Sequence, residues 1–311
     1  MLDTLKRLYS DQDKLREALL SANTRKGYHY DWRAFARWCT SMHLVDLPAT
    51  PETVGLFVMA ELLRKQKVST VTRRVAVIVH EHKAAGLPSP ASHSVHELLR
   101  GARRLRCERT RQVRPLALDE LRQCSRLLAL DGTPIALRDR AILVVGFASA
   151  LRSASLAALA FEDAEFTDRG ILLQIRREKQ DQEGHGRMIG LPPGEHAETC
   201  PVKCLRAWLD VRGAWPGPLF HRLDSWGVRG NALQAERICQ IVQAAVARIG
   251  LDPKIYGGHS LRAGFVTQAG ECGVGELLIA SQTGHHDMAT LRRYFRRRDV
   301  FRSNASAMIG L

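Results

Sequence analysis

Apolar residues recur every three or four positions through the first third of the chain, a period that predicts helices. From Thr24 to Met42, the residues Tyr28, Trp32, Phe35 and Trp38 stand four, three and three positions apart and share one helix face. Such a stripe is a core-facing surface. A second helix, Pro51 to Arg64, follows a Pro-Ala-Thr-Pro break with Thr50 as its N-cap. A third runs from Ser69 to Ala85 and stops at Gly86-Leu87-Pro88, and a fourth covers Ser92 to Leu105. A bundle of four or five helices is expected.

The pattern then changes. Helices are predicted over Leu118 to Leu130 and Thr133 to Ala150, the latter almost wholly apolar from Ala141 onward and therefore buried. Two β-prone runs, Ile171 to Arg176 and Arg187 to Leu191, flank the turn-forming Asp181-Gln182-Glu183-Gly184, which signals a hairpin. Helices over Cys200 to Trp215 and Ala232 to Ile249, with three short ones near the C-terminus, complete the pattern. The expected architecture is an N-terminal all-α bundle followed by a mainly helical α+β domain with a small β-hairpin. No internal repeat or low-complexity segment interrupts it.

Between Arg100 and Arg114 stand seven arginines and one acid, with Pro115 at the end. We place the domains at residues 1–108 and 116–311, with a basic linker at 109–115. A length of 311 residues and 45% hydrophobic content suffice for two cores. The net charge of +14 favours a polyanionic partner, nucleic acid first, over a merely solvated basic surface. Arginine's planar fork suits phosphate, so the basic run reads as a strap along a DNA backbone, with Arg103, Arg104, Arg109 and Arg111 as contacts.

No stretch approaches the roughly 20 apolar residues of a membrane span, and Met1 to Ser10 lacks a signal-peptide apolar core, so a cytoplasmic protein without a membrane partner is expected. Seven scattered cysteines, an odd number, read as reduced thiols. His196, Cys200 and Cys204 lack the second close pair that a zinc site needs, so no metal is expected. His80, His82, His93, His96 and His286 read as surface residues.

The chemistry concentrates near the C-terminus, in Gly257-Gly258-His259-Ser260-Leu261-Arg262, Thr283-Gly284-His285-His286 and Arg292-Arg293-Tyr294. His259 and Arg262 are three apart and on a helix reach one anion together. Gly284 ends one helix and Asp287 caps the next, which carries Tyr294. With Arg152 in Ser149-Ala150-Leu151-Arg152-Ser153-Ala154-Ser155-Leu156 and Lys179 in Arg176-Arg177-Glu178-Lys179, this set resembles the tyrosine recombinases of the phage-integrase family. In that family the active site is Arg, Lys, His-x-x-Arg, His or Trp, and Tyr. Arg152, Lys179, His259, Arg262, His285 and Tyr294 match in order, and the last pair keeps its nine-residue interval. Thr24-Arg25-Lys26-Gly27-Tyr28 and Ser69-Thr70-Val71-Thr72-Arg73-Arg74 are similar to the family's core-binding helices, which implicates Arg25, Lys26, Arg73 and Arg74 in holding DNA.

Three positions depart from the pattern. Ala150 stands where a glycine is usual. Ser155 stands where an acid usually orients its neighbours, and a serine offers only a neutral hydrogen bond. Thr283 replaces a commoner leucine, which reads as a packing variation.

The resemblance implies a double-stranded DNA recombination site as substrate and a homotetramer on DNA, and it names no accessory protein. Phosphodiester attack needs neutralisation of the non-bridging oxygens, which Arg152 and Arg262 provide without a metal. His259 assists deprotonation of Tyr294, a phenol of ordinary pKa about 10. Lys179 protonates the leaving 5′-oxygen, His285 donates a hydrogen bond to the phosphate, and a 3′-phosphotyrosyl bond conserves the energy for religation without cofactor or ATP. Two other functions use the same fold: a monomeric type IB topoisomerase and a DNA-binding architectural protein without turnover. Apolar residues after Tyr294, through Phe301, Ala305, Met308 and Ile309, suit docking on a neighbouring protomer or on their own domain.

Overall fold

The computed structural model describes residues 4, 7, 20, 22–108, 112–176, 178, 186–224, 229–285, 287 and 288. The chain divides into two compact units, Met1–Arg111 and Gln112–Leu311.

The described part of the first unit holds four helices: α1 (Ala22–Ser41), α2 (Pro51–Leu63), α3 (Val68–Ala84) and α4 (His93–Arg106). Thr50 caps α2 by accepting a hydrogen bond from the Thr53 amide, with Pro51 in the first turn, as its local sequence dictates. Of the expected aromatic stripe, Phe35 and Trp38 are buried in the core with Phe57 of α2, the Phe35 and Phe57 rings 5.0 Å apart, while Tyr28 and Trp32 are half-buried. Val95, Leu99 and Ala102 give α4 its buried face.

The basic run begins inside this helix, ahead of the expected linker at 109–115. Arg100 to Arg106 belong to α4, and the Arg106 guanidinium donates to the Leu62 and Gln66 carbonyls inside the bundle. His82, expected at the surface, is 1% exposed. Its Nε2 accepts from the Ala49 amide at 2.8 Å, so its Nδ1–H donates to Ile78 O at 2.7 Å and ties α3 to the start of α2.

In the second unit α5 (Leu118–Asp131) leads into α6 (Pro134–Ser149), whose residues Ala141 to Phe147 are all buried. Around α6 pack α5, α8 (Pro201–Arg212) and α10 (His259–Glu271). The short α7 (Ser153–Ala158) is followed by an antiparallel sheet of β1 (Ala164–Thr167), β2 (Gly170–Ile175) and β3 (Arg187–Leu191). Ile171 pairs with Leu191 and Leu173 with Ile189, so the alternating apolar residues of β2 and β3 share the buried face. A two-stranded ribbon, β4 (His221–Leu223) with β5 (Arg229–Ala232), precedes α9 (Ala235–Arg248), and α11 (Glu276–Thr283) follows α10.

The hairpin and the helices lie where the periodicity put them, while β1 and the ribbon were not foreseen. Residues 229–232 are strand, so α9 begins three positions later than expected from Ala232. The third short C-terminal helix and the tail beyond Tyr294 fall outside the described residues.

Residues 112–117, in neither helix nor strand, are bound within the second unit. The Arg114 amide donates to Ile255 O at 2.8 Å and the Leu116 amide to Ser260 O at 3.0 Å. Leu116 is fully buried, and its carbonyl lies against α10 where Gly264 has no side chain. No described helix is long and apolar enough to cross a membrane.

Candidate active site

Two helix N-termini meet at the centre of the site. α10 starts at His259, and the preceding Gly258 lies so close to Ser153, at the start of α7, that a β-carbon there would overlap the Ser153 hydroxyl. Bare backbone at Gly258 therefore brings His259 toward Arg152, which caps α7. One turn into α10, Arg262 is only 1% exposed.

A buried guanidinium needs acceptors. Arg262 Nη1 donates to Ala150 O at 2.7 Å and to Thr283 O at 2.6 Å, joining the ends of α6 and α11. Ala150, in place of the usual glycine, adopts the left-handed conformation at φ 51°. That conformation costs a residue with a β-carbon about 1–2 kcal/mol, and the burial of its methyl group offsets only part of the cost.

His285 completes the group. Gly284, at φ 65°, ends α11 and turns the chain so that the ring of His285 faces Arg262, whose Nη2 lies 3.0 Å from Nε2. The Thr283 hydroxyl, 2.7 Å from His285 Nδ1, already donates to Ile279 O at 2.6 Å. With that proton given to Ile279 O, the oxygen is left to accept from Nδ1–H, and Nε2, nearer to Nη2 than Nδ1 is (3.0 against 3.3 Å), accepts from the donor-only guanidinium. Thr283 is therefore a polar partner of the site, which corrects its reading as a packing variation.

Burial, then the charges of Arg262 and Arg152, push His285 down to about 4. Partial burial, with Arg262 and Arg152 beside it, also holds His259 below its ordinary value. Burial is the larger cause and the two arginines add to it, although the residue as a whole keeps an exposed face. Both shifts favour the neutral form of the rings.

Arg152 has a partner that the sequence reading missed. Glu178, just after β2, has a side chain only 7% exposed, with Oε2 3.7 Å from Arg152 Nη1. Ser155 donates to its Oε1 at 3.4 Å. Arg187 of β3 takes the same carboxylate through Nε at 3.0 Å and Nη2 at 3.4 Å, and its Nη1 donates to the carbonyls of Ser281 and Gln282 at the end of α11. The one sequence signal was an acid directly before Lys179.

The structure thus brings together Arg152, His259, Arg262 and His285. Lys179 and Tyr294 lie outside the described residues, as do Arg109, Arg111 and His286. Of the expected DNA contacts, Arg25, Lys26, Arg103 and Arg104 are exposed. Arg73 is exposed too, but its fork holds Asp31 at 2.6 and 3.1 Å.

Arg74 contradicts the expectation. It is 9% exposed and bonded to Asp31 and Glu61, both with buried side chains, so its charge is spent inside the bundle. Cys200 and Cys204 are buried thiols beside the Gly194 amide and Glu198 O, and no three His, Cys, Asp or Glu residues among those described are grouped to hold a metal.

Comparison with known proteins places this arrangement. The model of the phage integrase family matches residues 119–300. The chain is 34% identical to an integrase/recombinase XerD homolog of Selenomonas ruminantium over 91% of this chain and 84% of that protein. It is 25% identical to recombinase Cre of Escherichia phage P1, over 90% and 84% of the two chains. The fold resembles the Tn1549 transposon integrase solved in complex with a circular intermediate DNA, with a TM-score of 0.66 at 15% identity over 98% of both chains. With the family model covering more than half of the sequence, the chain belongs to the phage integrase family.

Proposed function

We propose that this site-specific recombinase cuts and rejoins double-stranded DNA through a covalent bond between a DNA 3′-phosphate and the Tyr294 hydroxyl. The observation that carries the reading is the convergence of Arg152, Arg262, His259 and His285 from three segments of the second unit. Two guanidinium groups beside two neutral imidazoles form a site for an anion that must exchange protons.

Arg152 and Arg262 bind the non-bridging oxygens and stabilise the charge that grows as phosphorus becomes five-coordinate. His259, neutral and open to solvent, takes the Tyr294 proton. Lys179 delivers a proton to the leaving 5′-oxygen. His285 donates to the phosphate once its Nε2 is protonated, which an incoming anion promotes by raising the ring's pKa. The phosphotyrosyl bond keeps the phosphodiester energy, so a second 5′-hydroxyl reverses the step without ATP, and the arginines provide the charge neutralisation that a metal gives elsewhere.

Residues 1–108 act as a core-binding clamp, with the exposed Arg25, Lys26, Arg103 and Arg104 on the DNA backbone and the 109–115 linker, including Arg109 and Arg111, along it. Four protomers assemble on paired sites, in the cytoplasm where a mobile element's DNA is accessible. The test is a nicked suicide duplex carrying the protein's own site, resolved on a denaturing gel with and without EDTA. A covalent adduct undiminished by EDTA and absent from Tyr294→Phe is expected. Adduct in both proteins, or in neither, contradicts the reading. Joined products from two duplexes rather than one separate a recombinase from a topoisomerase.

A further inference from the structure

We propose that Glu178 is the carboxylate that positions Arg152, supplied from the β2–β3 hairpin in the place left by Ser155. The inference rests on the reading of Arg152 as a phosphate ligand and names the residue that sets its geometry. Family members usually carry the orienting acid three residues after this arginine, and here that position is a serine. The chain still puts a carboxylate there. Ser155 hydrogen-bonds the Glu178 side chain at 3.4 Å, so the carboxylate occupies space that an acid at position 155 would otherwise reach.

The distances show how the arrangement avoids cancelling the arginine it orients. Arg187 makes the close contact with Glu178, Nε to Oε2 at 3.0 Å, while Arg152 Nη1 stands 3.7 Å from the same oxygen. One carboxylate between two guanidinium groups leaves a net positive charge, and Arg187 absorbs the larger share of the neutralisation. The 3.7 Å contact with Arg152 is an ion pair beyond hydrogen-bond reach, so Glu178 draws the guanidinium toward it electrostatically and leaves its N–H groups for phosphate. A buried carboxylate in this position is tolerated because it is multiply bonded.

Glu178 also ties the site together. Through Arg187 it is linked to the Ser281 and Gln282 carbonyls, just before Thr283 and His285. In sequence it directly precedes Lys179. Glu178 therefore meets Arg152 on one side and, through Arg187, the end of α11 on the other, and it acts as a positioning residue without touching the phosphate.

The experiment measures single-turnover adduct formation on the suicide duplex for wild type, Glu178→Gln, Ser155→Asp and the double variant, with DNA affinity and thermal melts of each. Glu178→Gln is expected to slow adduct formation about 10- to 100-fold, by analogy with the loss when a carboxylate behind a metal ligand is removed, with DNA affinity little changed. Ser155→Asp alone is slowed as well, because two carboxylates then crowd one another. The double variant is faster than either single one, because one acid again stands beside Arg152.

Rescue of this kind is not expected of a carboxylate that only braces Arg187. Glu178→Gln at the wild-type rate, or a double variant as slow as Glu178→Gln, overturns the proposal. Should Glu178→Gln fail to fold, Ser155→Asp against wild type decides, and an unchanged rate there also overturns it. These outcomes presuppose adduct formation by wild type, and its absence overturns the covalent reading and this inference together.

Discussion

His285 accepts a hydrogen bond at Nε2 from Arg262 Nη2, 3.0 Å away, while its Nδ1 faces a Thr283 hydroxyl whose proton is committed to Ile279 O. This arrangement favours a neutral His285 with its proton on Nδ1. Histidine-selective NMR should find that tautomer and a midpoint near the value of about 4 produced by burial and the two arginines. The folded pKa lies below the unfolded one of about 6.5, so the associated stability is complete above about pH 6.5 and is lost as pH falls toward 4. Binding of DNA raises this pKa, and calorimetry in buffers of different ionisation enthalpy should record proton uptake. A His285 that titrates near 6.5 in the free protein contradicts this picture.

Thr283→Val keeps the shape of the side chain and removes the hydroxyl that receives Nδ1–H. The fully buried position leaves the imidazole donor without that acceptor, a loss of about 1–3 kcal/mol. We expect a lower melting temperature, a mixed tautomer population and slower adduct formation, with Thr283→Ser close to wild type. Identical behaviour of the Val and Ser variants would remove the hydroxyl from the account of His285.

Arg74 and the pair Arg103 and Arg104 separate structure from DNA contact. Replacing Arg74 with Leu leaves Asp31 and Glu61 short of a partner inside the bundle, which should cost about 3–5 kcal/mol in denaturant unfolding. Replacing Arg103 or Arg104 with Ala should change stability little, and each should reduce the slope of log affinity against log salt by about 1. A stable Arg74→Leu protein with a reduced salt slope would return Arg74 to the DNA surface.

What could be read from sequence depended on how far apart the partners lie. Thr50 and Pro51 announce a helix start within four residues, and the alternation of Ile171, Leu173, Ile189 and Leu191 announces a hairpin, so both were legible. Arg74 was misread because its acids lie 43 and 13 positions away and only the packed bundle brings them together. Glu178 was missed for the same reason, since Arg152, Ser155 and Arg187 surround it only after β2 and β3 pair. The ribbon of β4 and β5 was invisible because His221-Arg222-Leu223 and Arg229-Gly230-Asn231-Ala232 contain no β-branched residue. The grouping of Arg152, His259, Arg262 and His285 was legible through the resemblance of their ordered motifs, whereas the Thr283 contact of His285 required the folded geometry.

Gly264 tests the seating of the segment that enters the second unit. A β-carbon there would overlap the Leu116 carbonyl and stand 2.8 Å from the Phe147 ring, and backbone cannot yield as a side-chain end does. Gly264→Ala should destabilise the protein by about 1–3 kcal/mol and displace Arg262, half a turn earlier on α10, so that adduct formation falls with stability. An unperturbed melt would show that Leu116 and α10 are packed less closely.

The most direct measurement is to digest the covalent complex formed on a suicide duplex and locate the nucleotide by mass spectrometry. The chain has five tyrosines, and Tyr256 is an unsuitable nucleophile, because burial and then Glu120 push its phenol up to about 12. The nucleotide should be found on the peptide containing Tyr294, attached through a 3′-phosphate. Attachment at any other residue, or through a 5′-phosphate, would contradict the assignment of Tyr294 as the group that carries the DNA.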